Sequence, residues 1–332
     1  MTRQRNHAPS SLQRRLVARA GLALGLAAGL CPLAGAQERY PSRPIEMIVP
    51  WGPGGGADVL GRIVGRWLET DLKTPVPVSN LAGASGMIGL GRLAQLPADG
   101  HALAVLTGDS LMMAASPAPT FRIAETTALA VLVRQPSGLF LPPGGRYKSW
   151  DDVVKALQAK PGSVTVAITG PNTADDLTVR YLASRGLSLV GVPYTKPGER
   201  YAAVVGGHVD LLYEQAGDLR GFLDAGQLKP ILFFAEQRLA APFADVPVSR
   251  ELGYEILLPQ VRALLVRSGT DTQRLQALSR SIERFVASPE YRQFIEQQLA
   301  LPDSFLPLAR AQPFLQSELE VSRKLLATYG VK

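Results

Sequence analysis

The sequence predicts an α/β protein made of two successive blocks, each alternating strands with helices. Three observations carry that expectation. Apolar runs of strand length alternate with helical periodicity from Pro44 to Thr107. The alternation resumes from Leu139 to Phe234, and a stretch rich in proline and alanine, Ala241 to Pro247, then separates the second block from a further strand and helices.

In order, Pro44 to Trp51 reads as a buried strand through Ile45, Met47, Ile48 and Val49, and it runs into Gly52-Pro53-Gly54-Gly55-Gly56. A helix follows, because Val59, Leu60, Ile63, Val64, Trp67, Leu68 and Leu72 share one face while Arg62, Arg66 and Glu69 fall on the other. A short strand at Val76 to Ser79, a turn rich in glycine (Gly83, Gly86, Gly89) and a helix ending near Leu96 come next. Strand His101 to Thr107 closes the block at Gly108-Asp109-Ser110. The second block begins with a strand near Leu139 and a helix capped by Ser149, with Asp152 in the capping-box position. Strands are expected at Val164–Ile168, Leu187–Val192, Val209–Tyr213 and Pro230–Phe234, and helices at Ala174–Ser184, Arg200–Val205 and Leu219–Ala225. Beyond the Ala241–Pro247 crossing lies strand Val261–Arg267, then helices whose starts are read at Thr270 with Gln273 and at Ser288 with Pro289. If this last part packs back on the first block, that lobe is discontinuous and two connections form a hinge.

Arg3, Arg5, Arg14, Arg15 and Arg19 precede the apolar run Ala20–Leu30 and the small residues Ala34-Gly35-Ala36, the pattern of a cleavable export signal. The run falls short of the roughly 20 residues of a spanning helix. Cleavage after Ala36 leaves Gln37 to Lys332. The net charge of +7 includes the leader's five arginines and no leader acid, which leaves +2 and gives nucleic-acid binding no support. Cys31, the sole cysteine, falls in the leader without a lipoprotein-type context, so the mature chain is expected to hold no disulfide, thiol nucleophile or thiolate metal site. Arg14-Arg15 matches a twin-arginine export signal poorly, and the export route stays open.

Two loops suit an anion. Gly54-Gly55-Gly56-Ala57-Asp58 joins a strand to a helix, where consecutive glycines bring backbone N–H groups near the positive helix end; Asp58 also suits plain N-capping. Gly170-Pro171-Asn172-Thr173 precedes the helix at Ala174 in the second block. Asp175 and Asp176 there either complement the helix dipole or meet a ligand ammonium. Gly52-x-Gly54-x-x-Ala57 fits part of a dinucleotide fingerprint, but the second strand ends at Ser79-Asn80 instead of an acid, so a Rossmann-like enzyme is the distant alternative. No catalytic constellation is evident: there is no Gly-x-Ser-x-Gly elbow, His101 and His208 lack metal spacing, and nothing pairs Asp58, Asp109 and Glu214 for acid–base work. No catalytic residue, metal or cofactor is expected.

Several segments, in order, resemble the receptors of tripartite tricarboxylate transporters, the Bug-type receptors. They are Tyr40-Pro41-Ser42-Arg43-Pro44-Ile45, Val49-Pro50-Trp51-Gly52-Pro53-Gly54-Gly55-Gly56-Ala57-Asp58, Asn80-Leu81-Ala82-Gly83-Ala84-Ser85-Gly86-Met87-Ile88-Gly89, Pro97-Ala98-Asp99-Gly100, Val192-Pro193-Tyr194, Gly206-Gly207-His208-Val209-Asp210, Ala225-Gly226-Gln227-Leu228 and Asp245-Val246-Pro247. The resemblance implies a two-lobed periplasmic-binding fold of type II, with lobes joined by two crossing hinge segments that close around a small carboxylated metabolite. It implies an exported, monomeric, non-enzymatic periplasmic receptor that meets integral-membrane transporter subunits transiently; a receptor feeding a signalling protein is the alternative. Lobe 1 is expected at 37–138 and 256–332, and lobe 2 at 139–255. Carried over by position, the first lobe offers Gly54, Gly55, Gly56, Ala57, Asp58, Ser85, Gly86, Thr107, Gly108, Asp109 and Ser110, and the second Thr169, Gly170, Asn172, Thr173, Tyr194, Thr195 and Glu214. Departures from the family pattern are Ala57 where threonine or serine is frequent, Thr195-Lys196-Pro197 after Tyr194, Asp176 for a frequent histidine and Glu214-Gln215 for a frequent aspartate with a small or amide neighbour. Acidic residues at Asp109, Asp175, Asp176 and Glu214 favour a ligand with an amine beside its carboxylate.

Overall fold

Two five-stranded sheets organise the molecule. The structure, a computed structural model, describes residues Tyr40 to Val331, so the segment read as an export signal, with Cys31, lies outside the described residues. In the first sheet β1 (Glu46–Val49), β2 (Val78–Asn80) and β3 (Ala102–Thr107) run parallel, and β10 (Gln260–Arg267) lies antiparallel between β3 and β4 (Thr126–Gln135), giving the order β2-β1-β3-β10-β4. The second sheet holds β5 (Ser137–Leu141), β6 (Thr165–Ile168), β7 (Val190–Pro193), β8 (Leu211–Gln215) and β9 (Lys229–Phe234) in the order β7-β6-β8-β5-β9. Each order places a strand that has just crossed from the other half antiparallel inside a parallel set. The halves are thus one architecture used twice, with crossings at Pro136 and in the segment before Gln260.

The sequence periodicity is realised in α1 (Gly56–Leu72), whose Leu60, Val64 and Leu68 are fully buried. Gly61 lets the helix lie directly on the sheet, since a Cβ there would come within 2.5 Å of a Val49 methyl. Before the crossing, the first lobe adds α2 (Met87–Gln95) and the short α3 (Gly108–Ala114). The helices of the second are α4 (Trp150–Ala159), α5 (Ala174–Ser184), α6 (Pro197–Val205) and α7 (Arg220–Asp224). Ser149 accepts the Asp152 amide, as the capping motif predicts.

Several elements depart from the sequence reading. Strand β4 was not anticipated: Thr-Thr-Ala-Leu-Ala-Val-Leu-Val shows no alternation because both faces are covered, by α8 (Thr272–Ala287) and by α10 (Leu308–Tyr329). β8 starts two residues later than Val209, because the Asp210 carboxylate turns aside to accept the Thr165 amide and hydroxyl. The first C-terminal helix is capped by Asp271, which accepts the Arg274 amide, while the Thr270 hydroxyl donates back to the Arg267 carbonyl. Ser288 caps α9 (Pro289–Gln297) as read.

Helix α10 braces both halves. Leu315 and Leu319 sit in the first lobe's core, whereas Leu325, Leu326 and Tyr329 pack against the second lobe's, with the Tyr329 ring edge-on to Tyr181 at 5.7 Å. The Val331 amide then donates to Asn172 at 2.8 Å. The chain's last turns are therefore shared between lobes.

Candidate functional site

In an α/β sheet the loops beyond the carboxyl ends of parallel strands form the natural binding edge. Here two such edges oppose each other. From the first lobe, β1 runs into α1 and β3 into α3; from the second, β6 runs into α5. Between them lies a cavity of about 70 Å³, room for only a few water-sized groups. The lobes therefore meet in a closed arrangement.

The first-lobe wall is a rigid cradle. Asp58 accepts the Gly54 amide at 3.1 Å, Arg62 Nε at 3.0 Å and the Asn80 side chain at 2.9 Å. Burial works to raise its pKa, but these hydrogen bonds outweigh it and hold the carboxyl below its ordinary value. Asp58 thus locks the glycine loop from behind and does not face the cavity. Gly55 caps α1 without a side-chain bond, and the Gly56 and Ala57 amides at the helix start make no hydrogen bond among the described residues. Both residues line the cavity, so two helix-end donors are available there. Trp51 donates its indole N–H to the Thr107 hydroxyl at 3.1 Å, and Gln260 accepts the Gly108 amide at 2.6 Å, which fixes β3, α3 and β10 around the same space.

Arginine ion pairs dominate the second-lobe wall. Arg200, on α6, pairs with Glu214, which also accepts the Tyr201 hydroxyl at 2.9 Å, and Arg200 reaches Thr169 at 3.0 Å. Burial lowers the Arg200 pKa, but Glu214 and neighbouring charges raise it further, so the guanidinium stays charged. Asp175 is satisfied at the start of α5 by the Thr169 and Asp176 amides and the Thr173 hydroxyl.

Three contacts tie the lobes across the cleft. Arg262 of β10 pairs with Asp218 and donates to Gln298 at 3.0 Å. Asp109 of α3 accepts the Ala174 amide at the start of α5, at 3.3 Å. Gly55 approaches Pro197 so closely that an added Cβ would lie 3.1 Å from its ring. Burial, then repulsion from Asp175, pushes the Asp109 pKa up to about 7; burial raises that of Asp218 to about 6 against the pull of Arg262.

The model of the tripartite tricarboxylate transporter family receptor matches residues 60–319. The chain belongs to that family. Protein BugT of Bordetella pertussis is 29% identical to this receptor over 325 residues, covering 96% of this chain and 98% of BugT. Among solved structures, MatC from Rhodopseudomonas palustris, with bound malate, superposes with a TM-score of 0.76 at 24% identity over 86% of this chain and all of MatC. The periplasmic binding protein BugD gives 0.79 at 20% identity over 88% of this chain and 99% of BugD. The receptor thus has the two-lobed periplasmic-binding fold, with two crossing segments.

Of the residues singled out in the sequence, Gly55, Gly56, Ala57, Thr107, Gly108, Asp109, Thr169, Asp175 and Glu214 line the receptor's cavity. The others stand behind it or apart. Gly54 and Asp58 build the cradle, and Ser110 donates to the Ser85 carbonyl at 3.0 Å, joining two loops beside Gly86. Thr173 lies against the Gly170 carbonyl and Asp175. Asn172, in the left-handed region, holds Val331 and gives its amide to Asp176, which pairs with Arg180. Tyr194 packs against the second lobe's core and Thr195 is exposed, while Lys196 is solvated and paired with Glu199. Sequence reasoning missed Arg200, Gln215, Asp218, Gln260 and Arg262. No local motif marks them; the only signal is polar residues at strand ends, Glu214-Gln215 and Gln260-x-Arg262.

Proposed function

We propose that this receptor works in the periplasm, where it closes its two lobes over a small carboxylated metabolite and delivers it to the membrane subunits of a tripartite tricarboxylate-type transporter, with no catalysis of its own. The observation that carries this reading is the pair of helix N-termini, α1 from one half and α5 from the other, at one narrow cavity between the sheets. The first sheet with α1–α3, α8 and α9 acts as one lobe and the second with α4–α7 as the other, hinged at Pro136 and near Pro259, with α10 lying against both. The unbonded Gly56 and Ala57 amides receive the carboxylate, and Ala57, which lacks a hydroxyl, leaves that task to backbone. The buried Arg200, whose Nε has no partner, stands as a further donor in the same cavity. The leader at residues 1–36 directs export, and the mature chain acts as a monomer.

Calorimetry with a panel of small mono-, di- and tricarboxylates tests the reading. Saturable one-to-one binding without turnover supports it. No binding by any member, or conversion of a bound member to product, overturns it.

A further inference from the structure

Two carboxylates that line the cavity, Asp109 and Glu318, have no ion pair among the described residues, and Asp109 is the one that meets the other lobe. Arg200 is committed to Glu214 and Arg262 to Asp218. The Asp175 oxygens are already taken up by two amides and a hydroxyl. Asp109 has two long contacts, the Ala174 amide at 3.3 Å and Gln260 Nε2 at 3.4 Å, and among the described residues no cation forms an ion pair with it, Arg200 acting on it only at longer range. A second, independent feature points the same way. Gln215 is 3% exposed and lines this cavity, and its Oε1 has no partner. With the Ser137 hydroxyl donating to the Leu258 carbonyl at 3.1 Å, Gln215 Nε2 donates to that hydroxyl, also at 3.1 Å, which turns Oε1 away from it. Asp218 also lines the cavity, and among the described residues its buried Oδ1 has no hydrogen-bond donor. A buried acceptor left unpaired costs about 1–3 kcal/mol, so such atoms mark where a ligand donor belongs.

We propose that the ligand carries an ammonium group beside its carboxylate, and that Asp109 and Gln215 receive that ammonium. This rests on the carboxylate-receptor reading and narrows it to amino-carboxylates. A second ligand carboxylate in the same place would face Asp109 with Asp175 close behind, and Arg200, the cation that draws on both, is already paired with Glu214. That repulsion, in a space from which closure removes water, disfavours purely anionic dicarboxylates wherever Asp109 is ionised.

Matched pairs of equal carbon count test the proposal: malonate with β-alanine, succinate with 4-aminobutyrate, glutarate with 5-aminovalerate, each titrated into the wild-type receptor by calorimetry. The best amino-carboxylate is expected to bind at least tenfold more tightly than its dicarboxylate partner. Asp109→Asn is expected to weaken the amino-carboxylate by tenfold or more while leaving the dicarboxylate unchanged or improved. Dicarboxylates that bind as well as their partners overturn the ammonium subsite and leave the receptor reading standing. Equal weakening of both ligands by Asp109→Asn also overturns it, since that is the signature of a merely structural residue. Absence of binding across both series overturns the two readings together. The wild-type comparison decides the matter even if Asp109→Asn fails to fold.

Discussion

Replacing Gly217 by alanine separates closure from ligand contact. Gly217 follows β8 in the second lobe and lines no part of the cavity, yet a methyl on it overlaps the backbone of Gln298, which belongs to the first lobe. Backbone cannot swing aside as a long side chain can. Relief requires the lobes to part locally by about 1 Å, judged against ordinary carbon contact distances. The bond most exposed to that parting is the buried Arg262–Asp218 pair. Loss of a hydrogen bond to a charged group costs about 1.5–3 kcal/mol. At about 1.4 kcal/mol per decade, Gly217→Ala is expected to weaken binding of the best panel member by about 10- to 150-fold. In the open form the methyl meets solvent, so the secondary structure seen by far-ultraviolet circular dichroism stays unchanged. Calorimetry gives the affinity, and small-angle scattering with saturating ligand gives the compaction. Wild-type affinity and full compaction in Gly217→Ala would refute the claim that the lobes meet at this glycine when ligand is held.

Arg200→Ala leaves Glu214 buried without its cation, and chemical denaturation is expected to show a loss of about 3–5 kcal/mol; unchanged stability contradicts the structural role given to that pair. Leu315→Ala opens a fully buried position where α10 lies in the first lobe's core, at a cost of about 2–5 kcal/mol in the same assay. The pH dependence follows from Asp109 and Asp218, whose pKa values are raised to about 7 and about 6 in the folded protein. Between the unfolded value of about 4 and these values the native state holds protons that the unfolded state has given up, so ligand-free stability falls as pH rises across that window. Asp109→Asn flattens the upper part of the slope, and a wild-type melting curve that rises from pH 5 to pH 7 contradicts the assignment. An ammonium ligand favours ionised Asp109, so binding at pH 6.5 is expected to release a proton, measurable by calorimetry in buffers of different ionisation enthalpy.

Local chemistry made much of the fold legible. The 3.6-residue repeat in Val59–Leu72, the capping serines at 149 and 288, and the strand-then-glycine junctions at Trp51 and Thr107 are each written within a few residues. Strand β4 was hidden because burial on both faces erases alternation, and β10 is separated by more than 150 residues from its partner β3. The candidate site divides along the same line. Backbone donors at Gly55–Ala57 follow from a glycine-rich turn before a helix. The ion pairs Arg200–Glu214 and Arg262–Asp218 arise only when α6 meets β8 and when the two lobes meet, so no window of sequence contains them. Asp58 and Asn172 were read as candidate contacts because they sit in the right loops; the fold turns their side chains to bracing the cradle and tethering the C-terminus.

A crystal structure of the receptor with its tightest amino-carboxylate tests the central claim most directly. The account predicts one ligand enclosed between the lobes, its carboxylate within hydrogen-bonding distance of the Gly56 and Ala57 amides and its ammonium against Asp109 and Gln215. Ligand bound elsewhere, or those amides turned to bulk solvent with the ligand in place, contradicts it.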